Sequence, residues 1–496
     1  MRLLGALLGL MFIVGAIITY FWWIAAAVVI LAAVKAYTRG FIHMTFAHRL
    51  RFRASLLKIG VDGLAGVARD RAGSVMTGRK IAPVTDFDPF SAQTRRDPYP
   101  GYHALLTGPN VPNVWYNRKR GIWIVAGYDD VRTALRDHDA LSSAESQARY
   151  RVHLQTMNAA DPPDHTRLRK FVSRAFTPRA MKAWQAAISE VADELVDVMI
   201  ARGRTELVAD LAKPLPNRLI AMMLGIPQQD HARFLDWSDA IVASSFAPLT
   251  PHGIALSARS ARATAAMRRN LDRLITNRRR HPGDDLISMM TASDGDDVLT
   301  DDEVFWSAAM LIGAGSETTT NLLSGLFLTL AQQPDLYAQL REHPELIPAA
   351  IEEQLRLVSP VQGFYRTATR DYTIGANTIP AGARVLLLFA AANRDPRHYD
   401  DPDTFDLNRN PSDHLAFGGG IHYCLGTPLS RMEASRVLTQ LLSRVDAIRL
   451  DGEYRYLDNP TMRGLAHLPL ELVPTRPGVT GTTMSVATTS ESLENP

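Results

Sequence analysis

The sequence predicts a domain built around long buried helices, carried behind an N-terminal membrane-spanning segment. Three observations predict it. Leu3 to Val34 is a run of 32 residues without a charge, where about 20 apolar residues suffice to cross a bilayer. The segment "LTDDEVFWSAAMLIGAGSETTTNLLSGLFLTLAQQP" reads as one long helix, apolar on nearly all sides and therefore buried. "LSRMEASRVLTQLLSRV" repeats apolar residues at helical spacing, with Leu429, Met432, Val437, Leu441 and Leu442 on that pattern, directly behind the glycine-rich loop "HLAFGGGIHYCLGTP".

The N-terminal run is too long for a cleaved signal peptide and carries only Arg2 ahead of it. Tyr20, Trp22 and Trp23 fall in its middle, the kind of residue that settles at headgroup depth. Lys35, Arg39, Arg49, Arg51, Arg53 and Lys58 crowd its far side, which orients everything after residue 35 toward the cytoplasm. "GFIHMTFAHRLRFRASLLKIG" mixes those bases with Phe41, Ile42, Phe46 and Leu50, and suits an anionic membrane surface or a helix packed on the following domain. The expected organisation is an anchor at 1–35, a basic juxtamembrane segment and linker at 36–85, a catalytic domain at 86–474 opening on "DFDPF", and a disordered Thr/Ser/Gly/Pro-rich tail at 475–496.

Composition removes several classes of function. A net charge of +3 with 21% charged residues is no polycation, so nucleic acid is not an expected partner. Hydrophobic content of 46% permits a large core. Cys424 is the single cysteine of 496 residues, which excludes an intrachain disulfide, a paired-cysteine zinc site, a CxxC redox pair and c-type haem attachment. Three readings of Cys424 remain: a small buried hydrophobe, a nucleophile with a His partner, or a lone thiolate ligand to a metal such as haem iron. The surroundings favour the ligand. Gly418 to Gly420 let a flat group approach the backbone, and the helix that follows supplies amide donors and positive potential that stabilise a thiolate.

In the long helix, Thr300 and Glu303 form a capping box at the start, and Pro334 marks the end. "AGSETT" sits in its middle, where a buried acid is costly unless paired or functional. Thr318 and Thr319 either bond back to the preceding turn or work with Glu317. "IEEQLRLVSP" sets Glu353 and Arg356 three apart, a surface ion pair on the plain reading. "DPPDHTRLRKFVSRAF" sets His165 and Arg169 four apart on one helix face.

"FGGGIHYCLG" resembles the haem-binding loop of the cytochrome P450 family, with Phe417, Gly420, His422, Cys424 and Gly426 all in place. The resemblance implies a mainly α fold with smaller β-sheets (α+β), the long helix at its centre. It implies haem b as cofactor, with Cys424 as the axial ligand to its iron. His165 and Arg169, Arg366 in "FYRTATRD", and His422 would reach the haem propionates. "AGSET" resembles the oxygen-activation motif, with Glu317 as acid and Thr318 as alcohol. Glu353 and Arg356 resemble the buried ExxR pair that meets a second arginine, here Arg409 in "DPDTFDLNR". "RGLAHLPL" resembles the C-terminal β-turn that points into the substrate pocket. The resemblance covers residues 86–474, with its motifs in family order, and leaves residues 1–85 outside.

The function implied is a haem-thiolate monooxygenase that takes O2 and two electrons and hydroxylates a lipophilic substrate. A sterol, a fatty acid or a polyprenyl quinone would fit a membrane-anchored enzyme. Two other readings stand beside it: a peroxygenase or isomerase that keeps the haem, which the Glu317 and Thr318 pair argues against, and a haem-based sensor. A cysteine hydrolase lacks a second catalytic constellation. "GAGSET" lies inside a helix rather than after a strand, so it is no dinucleotide fingerprint. Electrons are therefore expected from a ferredoxin and a ferredoxin reductase on separate chains. Lys170, Arg174, Arg179, Arg431 and Arg436 are the expected docking cations. Pocket walls are expected from residues 141–158, 236–256, 308–318, 359–364 and 464–468.

Overall fold

The computed structural model describes residues 83–475, apart from 109, 150–154, 245–250, 296 and 410. The expected anchor, nearly all of the juxtamembrane segment and the tail lie outside the described residues. Among the described residues no helix is long and apolar enough to cross a membrane.

Eight helices carry the argument: α1 Asp164–Ser173, α2 Pro178–Arg202, α3 Pro214–Met223, α4 His231–Ser244, α5 Pro251–Arg280, α6 Asp301–Gln332, α7 Ile347–Val358 and α8 Thr427–Leu442. Helix α6 runs through the centre and packs against α3, α4, α5, α7 and α8. Its start is set as expected: Thr300 Oγ1 accepts from the Glu303 amide at 3.2 Å and Glu303 Oε2 from the Thr300 amide at 2.8 Å. Asp301, Asp302 and Glu303 face the positive end of the helix dipole. Gln333 ends it because Pro334 supplies no amide and opens the next helix. Phe305, Leu322, Leu323, Leu326 and Phe327 are all buried along its length. Each such side chain contributes about 1.5–3 kcal/mol by leaving water.

The strands form a smaller layer. A five-stranded sheet comprises β1 Val114–Asn117, β2 Ile122–Val125, β3 Leu141–Ser142, β5 Phe364–Ala368 and β6 Arg384–Leu387, in the order β1-β2-β6-β5-β3. β2 and β6 run parallel and the other pairs antiparallel. Residues 83–85 add to its β1 edge, with the Thr85 amide donating to Tyr116 O at 3.1 Å. A second sheet joins β4 Arg204–Glu206, β7 Val445–Leu450 and β8 Pro469–Pro474, with β8 in the middle. The mainly α architecture with smaller sheets is the one expected.

Two backbone features aim chain at the centre. Helix α7 stops at Ser359, a fully buried residue with φ of +52° whose hydroxyl donates back to Leu355 O and Arg356 O. That turn sends Pro360 to Phe364 along the cavity described below. Gly420 has φ of +63°, and a Cβ there would lie 2.3 Å from Leu135 O. Only glycine fits both demands.

Candidate active site

Between α6 and the loop before α8 lies a cavity of about 220 Å³. One side is apolar: Ile220, Met310, Leu311, Leu322, Val361, Phe364 and Phe389. The floor is the cysteine loop, Ala416 to Gly426. Among the described residues that line it there is no Asp or Glu.

Cys424 opens onto this cavity and not into a packed core, so the small-hydrophobe reading fails. Its amide donates to Phe417 O at 3.1 Å and its carbonyl accepts from Thr427 Oγ1 at 2.9 Å, which closes the loop on itself. Low-polarity walls push the thiol above its usual range, against the Gly426 amide, Thr427 and Arg169. Gly426 leaves room beside the sulfur; a Cβ there would sit 3.8 Å from Sγ.

At one pole the cavity gathers basic groups. Arg169, Arg366 and His422 line it, and the His165 ring lies 4.6 Å from that of His422. One turn of α1 puts His165 and Arg169 side by side, and β5 delivers Arg366. Both His165 nitrogens and His422 Nε2 are buried without a hydrogen-bond partner. Burial first, then Arg366, His165 and Arg169, lowers the His422 pKa to about 2. His165 is lowered by burial and by Arg169, and burial brings Arg366 down to about 10. His138, not singled out from sequence, adds to the same positive field and has a buried, unpartnered Nδ1. Unpartnered imidazole nitrogens beside two arginines, which Asp161 offsets only in part, fit a flat apolar group bearing two carboxylates.

The two α6 residues part company. Thr318 lines the cavity, and its hydroxyl donates to Ala314 O at 2.8 Å, the back-bond of the plain reading. Glu317 does not line it. Its carboxyl interacts with Asp239 and Lys213, Oε2 is buried without a partner, and burial followed by Asp239 raises its pKa against Lys213.

Glu353 and Arg356 are no surface pair. Both are fully buried, joined by two bonds of 2.7 Å, and Arg409 Nε adds a third contact to Glu353 at 3.1 Å. Arg356 also donates to the carbonyls of Asn393, Pro402 and Thr404. The Asn393 side chain in turn accepts the Leu415 amide at 2.7 Å, at the entry to the cysteine loop. The cluster thereby fixes where the loop starts; Asn393 was not foreseen from sequence.

Three of the expected pocket walls, 141–158, 308–318 and 359–364, supply lining residues. Residues 236–256 fall largely among positions whose side chains are not described. Residues 464–468 do not line the cavity, a correction to the reading of "RGLAHLPL". That segment is strand and is held elsewhere: Arg463 donates to Arg95 O and Arg96 O, and the Leu465 amide donates to Ser324 Oγ of α6 at 3.3 Å. The expected docking cations are also mostly spoken for. Arg431 pairs with Glu352, Arg436 with Asp193, and Lys170 and Arg174 with Asp294.

The family description "Cytochrome P450" matches residues 110–453. The chain is a cytochrome P450. Beta-dihydromenaquinone-9 omega-hydroxylase of Mycobacterium tuberculosis is 40% identical over 417 residues, 83% of each chain. Cytochrome P450 monooxygenase PikC of Streptomyces venezuelae is 37% identical over 78% of this chain and 94% of its own. The solved structure of cytochrome P450 CYP109Q5 from Chondromyces apiculatus superposes with a TM-score of 0.70 at 32% identity, over 78% of this P450 and 98% of that chain. This P450 is therefore an oxidoreductase of monooxygenase type with haem b as cofactor. Bound haem supplies the iron at which O2 is activated, and the basic pole and the thiol-bearing floor of the cavity fit it.

Proposed function

We propose that this P450 hydroxylates a long lipophilic chain of the polyprenyl-quinone kind, drawn from a membrane. The observation that carries the reading is the apolar wall formed by α6 and the Pro360–Phe364 segment. A relative 40% identical over most of both chains bears the name of a menaquinone omega-hydroxylase, which supports it. Cys424 is the iron ligand. His165, Arg169, Arg366 and His422 hold the propionates, and Glu353, Arg356 and Arg409 set the loop. Electrons come from a ferredoxin and a ferredoxin reductase. Catalysis takes place on the cytoplasmic side, beside a membrane anchor formed by residues 1–35.

Thr318 delivers protons. Its hydroxyl exchanges the bond to Ala314 O for one to water or oxygen in the cavity, and Glu317 resupplies it from the Lys213 and Asp239 side. Thr318→Ala keeps haem and substrate binding and lowers product formed per NADPH consumed, because reduced oxygen is diverted to peroxide or water. Unchanged coupling removes Thr318 from the relay.

The substrate class is tested by titrating the full-length enzyme with a menaquinone and with a sterol, following the substrate-induced spin shift, then analysing products by mass. A spin shift and hydroxylation with the sterol alone overturns the quinone assignment. Delivery from the membrane is tested by deleting residues 1–59. The truncated enzyme keeps its spectrum and its turnover of detergent-solubilised substrate but loses most activity on the same substrate in vesicles. Equal activity of both forms on vesicles removes the membrane route and leaves the monooxygenase intact.

A further inference from the structure

We infer that Glu352 is a positioning residue for the iron ligand: one carboxylate ties both flanks of the cysteine loop to α7. The inference rests on Cys424 being that ligand, which Cys424→Ser tests separately. Glu352 stands next to Glu353 on α7, yet the two acids serve different groups. Glu353 is consumed by Arg356 and Arg409. Glu352, whose side chain is 15% exposed, faces the loop. Its Oε2 accepts from His414 Nε2 at 3.2 Å and from Arg431 Nη2 at 2.6 Å, and Oε1 accepts from Arg431 Nε at 2.6 Å.

Those two partners bracket Cys424. His414 lies before the loop, and its Nδ1 accepts the Ala416 amide at 3.2 Å, capping the turn Leu415–Phe417. With Nδ1 accepting, Nε2 carries the ring proton and donates it to Glu352. Arg431 lies on α8, beyond the loop, and its guanidinium rests over the Phe417 ring at 5.1 Å. Phe417 O receives the Cys424 amide. A single carboxylate therefore reaches the ligand through the residue that hydrogen-bonds it. The two-bond fork to Arg431 fixes angle as well as distance. Burial alone would raise the Glu352 pKa, but the bonds from His414 and Arg431 hold it at about 2, so the tie is charged at every working pH.

The test uses full-length, haem-loaded enzyme carrying Glu352→Gln. The amide oxygen can still accept from His414, so the variant folds and loads haem. Without the charged fork, the red-shifted Soret band of the reduced carbon monoxide complex decays about tenfold faster, the scale of one lost charge-assisted bond. The reduction potential moves positive, because Arg431, which lies over the Phe417 ring of the cysteine loop, is left without its counter-ion. Glu352→Asp keeps the charge and the potential. A wild-type decay rate and potential in Glu352→Gln overturn the inference, and so does a faster decay that merely follows a lower melting temperature with no shift in potential. Should Glu352→Gln fail to fold, Arg431→Lys takes its place: it keeps the charge and loses the fork, and a wild-type decay rate there overturns the inference equally.

Discussion

The Cys424→Ser variant is expected to show no red-shifted Soret band in its reduced carbon monoxide complex. The effect is complete rather than graded, because the chain holds no second thiol. A serine hydroxyl has no accessible anion at neutral pH, whereas a cysteine thiol with a usual pKa near 8.5 gives up its proton to a metal readily. The substitution spares the loop. The Cys424 amide still reaches Phe417 O and its carbonyl still receives Thr427 Oγ1, since neither bond involves the side chain. The variant therefore folds, and the basic pole still offers its donors to the propionates. Measured under carbon monoxide after reduction, a surviving band removes Cys424 from the iron and with it the proposed site.

Arg356→Ala is expected to lower haem content and melting temperature together. Truncation strips Glu353 of its two-bond partner, leaves the buried Asn393 carbonyl without its donor and frees the less buried Pro402 and Thr404 carbonyls. Breaking a buried pair costs about 3–5 kcal/mol. Arg409 Nε and the Asp406 amide remain on Glu353 and keep the loss from growing further. Against a total stability of about 5–15 kcal/mol that is a large fraction. Arg356→Lys does not rescue it, because a single ammonium cannot span a carboxylate and three carbonyls. The check is haem per polypeptide and the melting curve of the purified protein. A fully loaded variant with a wild-type melting temperature returns the pair to the status of a simple contact.

The cysteine loop was legible because its chemistry demands particular residues at short spacing, all within Phe417 to Gly426. The limits of α6 were legible for a related reason: a capping box and a proline are local signals. Glu352 escaped because its partners lie 62 and 79 positions away, where no pattern in the chain connects them. The same distance hides the ion pairs of the expected docking cations. Arg431 and Arg436 count as free cations along the sequence, while Glu352 and Asp193 neutralise them across space. "RGLAHLPL" misled in another way: its residues form two strand segments, and Arg463 at its head donates to the Arg95 and Arg96 carbonyls and not into the cavity.

The basic pole bears on the life of the protein before it works. Arg169, Arg366 and their histidine neighbours crowd together with only partial compensation from Asp161, and burial has already driven the histidines toward neutrality. Haem brings the missing counterions, so it binds the folded chain far better than the unfolded one. A ligand at a hundred times its dissociation constant adds about 2.7 kcal/mol to the folded state. Chains without haem therefore spend more time unfolded and exposed to proteolysis, so enzyme abundance is expected to follow haem supply.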